Sequence, residues 1–426
     1  MRVCTTYGSA IPLRKGAEMH EIRLDVFDSI PEGVGAESLV TLCGKDPSLI
    51  PDSFEGLVDV GDSSVEIPHR KIRSIHDFDR TPSEKAIVGM LSPGDQEISK
   101  GAFMASTFLD LDSILQASRS LDRKHVLLGM GQIGEVTRIR QKLLRNDFTF
   151  GYEGVPTAPG QLSAEELETL GDDCMLVGIT GHPLSHTKSP AMQNAAIKAA
   201  GINGRYLVFD SPELDKVEDV IRGYEIRGMN VTIPYKERIM EHLDSVSSSA
   251  ETIGAVNTIV NNNGTLIGNN TDITGIKMAL EGTPTEGAKA LIMGSGGAAR
   301  AAAEAVRTLG CVGSLCGRNS ETVDGICRDF GLERFEGDIR DMDIIINCTP
   351  IGLVEGKYPA DITGLRAEQT VFDMVYGKRT PLLDFAESKG CRTMDGTDML
   401  IGQGAASFRM WFGTAPDLDV MRGVLR

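Results

Sequence analysis

From about residue 176 to the end, short apolar runs alternate with segments whose apolar residues recur every three to four positions, the pattern of strands followed by surface helices. MLVGIT (175–180), RYLVFD (205–210) and NVTIP (230–234) read as strands. SPAMQNAAIKAAG (189–201), with its glycine stop, and ELDKVEDVIRGYE (213–225) read as helices. Further helices are expected after Pro234 through Ser245 and over 273–281. AKALIMGSGGAARAAAEAVRTLG (288–310) reads as strand, glycine-rich turn and helix, and GSLCGR, MDIIINCTP and QTVFDMVY continue as buried parallel strands. This alternation means α/β architecture.

The first 170 residues alternate too, with less helix. Eight strands are expected: 2–7, 19–27, 38–44, 56–62, 71–78, 101–106, 125–130 and 147–152. Clear helices follow only the later ones, in SEKAIVGML, LDSILQASRSL and GEVTRIRQKLLR. Eight β units suggest a (β/α)8 barrel, yet such barrels usually take about 250 residues. This one must be pared down, its first helices reduced to turns; an open sheet is the structural alternative. The polar stretch 159–174 marks the junction between the two halves.

The chain of 426 residues is too long for one core and suits two or three domains. No apolar run approaches the roughly 20 residues of a membrane span, and the N-terminal residues do not make a signal peptide. The net charge of −17 argues against nucleic acid or an anionic membrane as a partner. An anionic substrate must then be held by local cations. Eight cysteines without a CxxC pair suit reduced thiols in a cytoplasm. Neither they nor the seven histidines show metal-ligand spacing, so no metal is expected.

LIMGSGGAAR places Gly294, Gly296 and Ala299 as G-x-G-x-x-A between a buried strand and a helix. There the first glycine permits the tight turn, the second lets the backbone approach a pyrophosphate, and the helix N-terminus offers free N–H groups. The next strand ends in SLCGRNS, with Arg318 where an NAD site would place an acid. An arginine there suits a 2′-phosphate, hence NADP. In RGMNVTIPYKERI (227–239), Lys236 follows a strand cut short by Pro234. On its own it reads as a solvated surface charge.

Residues 175–426 resemble shikimate dehydrogenase along their whole length. The resemblance rests on GHPLSHTKSP (181–190), NVTIPYK (230–236), GAVNTIV (254–260), GNNTDITG (268–275), the glycine loop, NCTPIG (347–352), DMVYGKRTPLL (373–383) and GTDMLIGQGAASFRMWFG (396–413). It implies a catalytic pair, Lys236 and Asp272, that serves proton transfer and stabilises the developing alkoxide. It implies a substrate carboxylate met by Thr187 and Ser189, ring hydroxyls met by Asn230, Thr232, Asn257 and Gln403, and Tyr376 near substrate and nicotinamide. The implied cofactor set is Gly294, Ser295, Gly296, Gly297, Ala298, Arg318 and Thr349. In the 2′-phosphate motif Gly317 replaces the family's asparagine and Thr322 its lysine, leaving Arg318 as the cation. Quinate/shikimate dehydrogenase is the sister activity.

Residues 2–172 resemble type I 3-dehydroquinate dehydratase through SIHDFDRTP (74–82), EISKGAFMAS (97–106), EIRLDVF, GEVTRIR and TAPGQL. The implied mechanism is a Schiff base on Lys100, with His76 removing and returning a proton. Glu21 and Arg23 match an acidic–basic pair, Arg138 the clamp on the substrate carboxylate, and Thr157 and Gln161 the closing loop. An arginine expected after the third strand is Cys43, with Lys45 as the substitute. A free lysine is neutral only about one part in a thousand at pH 7, a handicap of roughly 4 kcal/mol. Burial beside Arg138 or Arg23 should lower its pKa.

The expected architecture is thus a pared-down (β/α)8 barrel over 1–172. It is followed by a two-domain α/β shikimate dehydrogenase: a substrate domain over 173–272 completed by 395–426, and a Rossmann NADP-binding domain over 273–394. The implied activity is dehydration of 3-dehydroquinate followed by NADPH-dependent reduction of 3-dehydroshikimate to shikimate, in the cytoplasm, in a chain that can form a homodimer. The rivals are a dehydrogenase with a catalytically dead barrel and a metabolite sensor without chemistry.

Overall fold

The computed structural model describes every residue except positions 33 and 426. The chain forms two compact units, Met1–Ser185 with Asn203–Arg227, and His186–Ile202 with Gly228–Arg426.

In the first unit eight parallel strands pair in one sheet: β1 (Val3–Tyr7), β2 (Met19–Arg23), β3 (Leu39–Thr41), β4 (Leu57–Asp59), β5 (Arg70–Asp77), β6 (Ile98–Met104), β7 (His125–Met130) and β8 (Thr149–Glu153). Their order is β7-β6-β5-β4-β3-β2-β1-β8, and the two end strands meet at a bridge between His125 and Asn146, so the sheet is a nearly closed barrel. Between β7 and the start of β8 the seam is that isolated backbone bridge, with the Asp147 N–H donating to the His125 carbonyl, reinforced by a side chain. Asn146 accepts from the Leu127 N–H and donates to the Leu127 carbonyl. Among the described residues the first four strands have no α-helix between them, as expected of a pared-down barrel. The helix expected over 134–145 is shorter, Glu135–Ile139. It ends where Arg140 leaves helical geometry and donates to the carbonyls of Tyr224, Asp172 and Cys174.

Strand periodicity of two builds the barrel interior in layers. The lower layer is apolar: Cys4, Met19, Leu39, Leu57, Ile72, Ile98, Val126 and Phe148. Two residues further along each strand come Thr6, Glu21, Thr41, Asp59, Ser74, Lys100, Leu128 and Phe150. Six of these eight are polar, at the level where barrel active sites form.

The same unit holds the parallel strands Met175–Gly181 and Gly204–Asp210 and the helix Val217–Gly223. They dock on the barrel's helix Phe108–Ser120. Phe209 stacks on Phe108 at 5.9 Å, and the Tyr224 hydroxyl donates to the Leu111 carbonyl over 2.9 Å.

In the second unit, residues Gly228–Asn230 pair antiparallel with Thr258–Val260. That strand forms a hairpin with Thr265–Asn269 through Asn263 and Gly264, both at positive φ, the tight-turn signature. A parallel sheet follows in the order Glu333–Arg334, Val312–Cys316, Lys289–Met293, Ile344–Asn347, Thr370–Asp373, Arg392–Met394. Strand order reverses beside Lys289–Met293, which has Val312–Cys316 on one side and Ile344–Asn347 on the other. Open α/β sheets bind ligands at such a crevice. The helix expected after Pro234 is a short 3-10 turn, Arg238–His242, because Pro234 and the turn at Lys236 hold that chain close to Val256, whose N–H donates to the Lys236 carbonyl. Among the described residues no helix is long and apolar enough to cross a membrane.

Candidate active sites

The barrel mouth encloses a cavity of about 100 Å³, lined by Thr6, Glu21, Arg23, His76, Lys100, Arg138, Phe150, Thr157 and Gln161 among others. Every barrel residue singled out in the sequence as catalytic or substrate-binding lies on it. Lys100 is not at a strand edge; it is the third residue of β6, paired with Ser74 of β5. Its ammonium is buried, 3.1 Å from Asp59 Oδ2 and 4.5 Å from the centre of the Phe150 ring. Asp59 is fully buried and accepts from the Ser74 hydroxyl (2.6 Å) and the Gly61 N–H (2.9 Å).

This pairing overturns the expected fall in the Lys100 pKa. Burial does pull it down, but the carboxylates of Asp59 and Glu21 outweigh burial and the balance is upward. For Asp59, burial pushes up, and Lys100, Ser74 and Gly61 together pull it below the usual range. The resting site is therefore an ammonium–carboxylate pair. Asp59 and Ser74 escaped the sequence reading. Their one signal is position, each two residues beyond an inward apolar residue.

His76 stands at the rim, stacked on Phe78. Burial first, and the Lys100 charge second, depress its pKa to about 4. His76 is therefore neutral at pH 7 and can accept a proton. Glu21 accepts from the hydroxyls of Thr6 and Thr41. Arg23 is held by Asp25, at 2.7 Å, and not by Glu21. Cys43, in the arginine's place, is exposed, and its thiol, beside the same Asp25, is held above the usual thiol range by that carboxylate. Lys45 is exposed and does not line the cavity, so it does not substitute. Arg138 is 2% exposed, and among the described residues its Nε has no hydrogen-bond partner. A buried, unpaired guanidinium is a prepared site for an anion. Gln161 accepts from the backbone and hydroxyl of Thr157, closing the loop over the mouth.

In the second unit Lys236 Nζ lies 2.5 Å from Asp272 Oδ2. Asn257 donates to Asp272 Oδ1 (2.8 Å) and accepts from the Thr271 N–H (2.8 Å), while Asn270 accepts from the Asp272 N–H. Asn230 donates to the Asn257 carbonyl and to the hydroxyls of Thr258 and Ser407. Asn270, Thr271, Thr258 and Ser407 were not singled out in the sequence, though two of them sit inside the NNTD run. Thr187 accepts from the N–H of Ser189, which opens the helix Ser189–Ala199. Gln403 donates to the Leu400 carbonyl on its own helix. Tyr376 is half-buried, with its phenol pKa pushed up by burial. No hydrogen bond among the described residues joins Thr187, Ser189, Gln403 or Tyr376 to the Lys236–Asp272 pair.

Lys236 and Thr232 share a cavity of about 770 Å³ with Gly294, Ser295, Gly296, Gly297, Ala298, Arg318 and Thr349. A dinucleotide fits what this cavity offers. Gly294 has φ +131, and a Cβ there would press on Cys348 at 3.3 Å. At Gly296 a Cβ would meet nothing within 4 Å, so that glycine keeps space open for something other than protein. A Cβ at Gly317 would stand 3.1 Å from Val323 and 3.2 Å from Ser295, a tight fit for any larger residue there. Thr322 serves as a capped helix residue, its N–H donating to Asn319. Arg318 is exposed in the cavity wall, and no ion pair or hydrogen bond engages it among the described residues.

Two enclosed amine–carboxylate centres, one at a barrel mouth and one beside a dinucleotide crevice, define a two-site α/β enzyme. Residues 60–171 match the family model for type I 3-dehydroquinase, 179–259 that for the shikimate dehydrogenase substrate binding domain, and 396–426 that for the shikimate 5′-dehydrogenase C-terminal domain. The NADP(+) shikimate dehydrogenase of Carboxydothermus hydrogenoformans is 37% identical over 271 residues, which are 59% of this chain and 97% of that protein. The crystal structure of shikimate dehydrogenase from Aquifex aeolicus is 34% identical with a TM-score of 0.57, covering 59% of this chain and 98% of that one. That from Thermus thermophilus, in complex with NADP(H) and shikimate, is also 34% identical, with a TM-score of 0.55 over 59% and 98% of the two chains. The chain belongs to the shikimate dehydrogenase family, fused behind a type I 3-dehydroquinase domain.

Proposed function

We propose that this chain catalyses two consecutive steps of the shikimate pathway: 3-dehydroquinate to 3-dehydroshikimate in the barrel, then 3-dehydroshikimate to shikimate with NADPH in the second half. The observation that carries the reading is that each half encloses its own lysine against its own aspartate, Lys100 with Asp59 and Lys236 with Asp272.

In the barrel, Arg138 takes the substrate carboxylate. Lys100 gives up a proton, for which Asp59 is the adjacent acceptor, and its amine adds to the ketone. Loss of water gives an iminium that acidifies the neighbouring carbon. Neutral His76 removes that proton and returns it to the departing hydroxyl. Hydrolysis of the imine frees the enone product and restores Lys100.

In the second half, Arg318 and the N-terminus of the helix Gly297–Thr308 hold the phosphates of NADP. When bound, NADPH supplies the hydride. Lys236 donates the proton that the new alkoxide needs, and Asp272, fixed by Asn257, keeps the ammonium aimed. Thr187 and Ser189 offer hydroxyls to the substrate carboxylate; Asn230, Thr232, Asn257 and Gln403 offer polar groups to its ring hydroxyls, with Tyr376 beside the nicotinamide. The division of labour is a dehydratase over 1–172, a substrate domain over 173–272 with 395–426, and an NADP domain over 273–394, in a cytoplasmic enzyme that can pair as a homodimer.

Two absorbance assays test this. Appearance of the conjugated enone from 3-dehydroquinate distinguishes an active barrel from a dead one. Loss of NADPH with 3-dehydroshikimate distinguishes an enzyme from a sensor. Silence in either assay removes that half of the proposal.

A further inference from the structure

Arg138 poses a problem of selectivity. A buried guanidinium with an unpartnered Nε attracts whatever carboxylate can reach it. One turn earlier on the same short helix is Glu135, and the two charges act on each other. Yet Glu135 does not pair with Arg138. Its Oε1 is 2.6 Å from Nε of Arg205, on the strand Gly204–Asp210, outside the barrel. Arg205 is itself steadied by Glu166, at 3.2 Å, whose other oxygen caps the helix Ala164–Leu170 through Ser163. The strand is pressed against the barrel by Phe209 on Phe108, and a neighbouring anchor is Arg140 on the carbonyls of Tyr224 and Cys174.

We propose that Arg205 is a positioning residue for the barrel reaction: by engaging Glu135 it keeps that carboxylate off Arg138, so the guanidinium stays open to the carboxylate of the substrate. The barrel's anion site is in this sense completed by a strand that belongs, in sequence, to the dehydrogenase half. The inference rests on the reading of the barrel as a dehydratase.

Without Arg205, Glu135 is left half-buried one turn from an unpaired cation on its own helix, and an Arg138–Glu135 pair would relieve both. The substrate would then have to displace an internal carboxylate. That penalty falls on binding before chemistry, so it raises KM and leaves kcat in place. Its size is that of a charge-assisted hydrogen bond, about tenfold to a hundredfold.

The test is dehydratase kinetics on the full-length chain for Arg205→Gln, Glu135→Gln and the double variant. Arg205→Gln should raise KM for 3-dehydroquinate at least about tenfold with kcat within about twofold. Glu135→Gln alone should leave KM at or below the parent value. The double variant should return KM to that of the parent, because no carboxylate remains to compete. Shikimate dehydrogenation, read on the same preparations, should be unchanged throughout and reports on folding. An unchanged KM in Arg205→Gln overturns the inference, and so does a KM as high in the double variant as in the single one, since that marks Arg205 as merely structural. A parent chain without dehydratase activity overturns the barrel reading and this inference with it.

Discussion

Replacing Asp59 by Asn tests the pairing of Lys100 most sharply, because amide and carboxylate differ little in shape and wholly in charge. Asp59 and Lys100 are both buried, 3.1 Å apart. Removing one partner of such a pair costs about 3–5 kcal/mol. The cost should depend on pH in a definite way. In the parent, the folded Lys100 pKa lies above that of the unfolded chain. Its contribution is therefore fully present below the unfolded value and is lost only as pH rises through the folded one. Near neutrality it is flat. In Asp59→Asn the upward pull of the first carboxylate is gone and burial, the largest influence on Lys100, pushes its folded pKa below the unfolded value. Between the two the unfolded chain binds the extra proton, so the variant gains stability as pH rises, by about 1.4 kcal/mol per pH unit. The difference between parent and variant should then shrink steadily as pH climbs from neutral toward the ordinary lysine range. Urea unfolding of both proteins across that interval reads it directly, and other titrating groups cancel in the difference. A difference that stays constant with pH would refute the pairing argument.

Lys236→Ala should lower shikimate turnover by about 10²–10⁴-fold while the dehydratase assay is unaffected; near-normal turnover would remove Lys236 from proton transfer. Arg318→Gln should raise KM for NADPH by about tenfold to a hundredfold, the weight of one charge-assisted contact, and leave KM for NADH nearly alone; equal losses for both cofactors would contradict its assignment to the 2′-phosphate. Gly296→Ala should leave the melting temperature of the free protein unchanged, since its Cβ meets nothing and its backbone is extended, yet weaken NADPH binding measured by fluorescence; undiminished binding would mean the open space is not the pyrophosphate's.

The sequence carried the barrel because eight short strand-like runs recur along its first 152 residues, and the spacing of two puts Glu21, Lys100 and Phe150 in one layer. It did not carry Asp59. Its contact with Lys100 joins β4 to β6, skipping β5, and exists only because the sheet curls. The expected drop in the Lys100 pKa failed for the same reason: burial was legible, the facing carboxylate was not. In the second half Lys236 and Asp272 were named from their motifs and stand 2.5 Å apart, but the clamp of Asn257, Thr271 and Asn270 around Asp272 depends on a turn packing against a strand end. The helix after Pro234 failed because tertiary contact with Val256 holds Lys236 in a turn. Periodicity also offered no hint that residues 203–227 pack with the barrel; Arg140 and Tyr224 do that through backbone carbonyls, which no pattern of side chains reveals.

The central claim is that the chain contains two separate reactive amines with different chemistry, one that bonds to substrate and one that only donates a proton. Borohydride reduction of the enzyme in the presence of 3-dehydroquinate, followed by peptide mass mapping, tests it most directly. The account predicts a substrate-derived mass on the peptide holding Lys100 and none on the peptide holding Lys236. A label on Lys236, on another residue, or on no residue at all would contradict it.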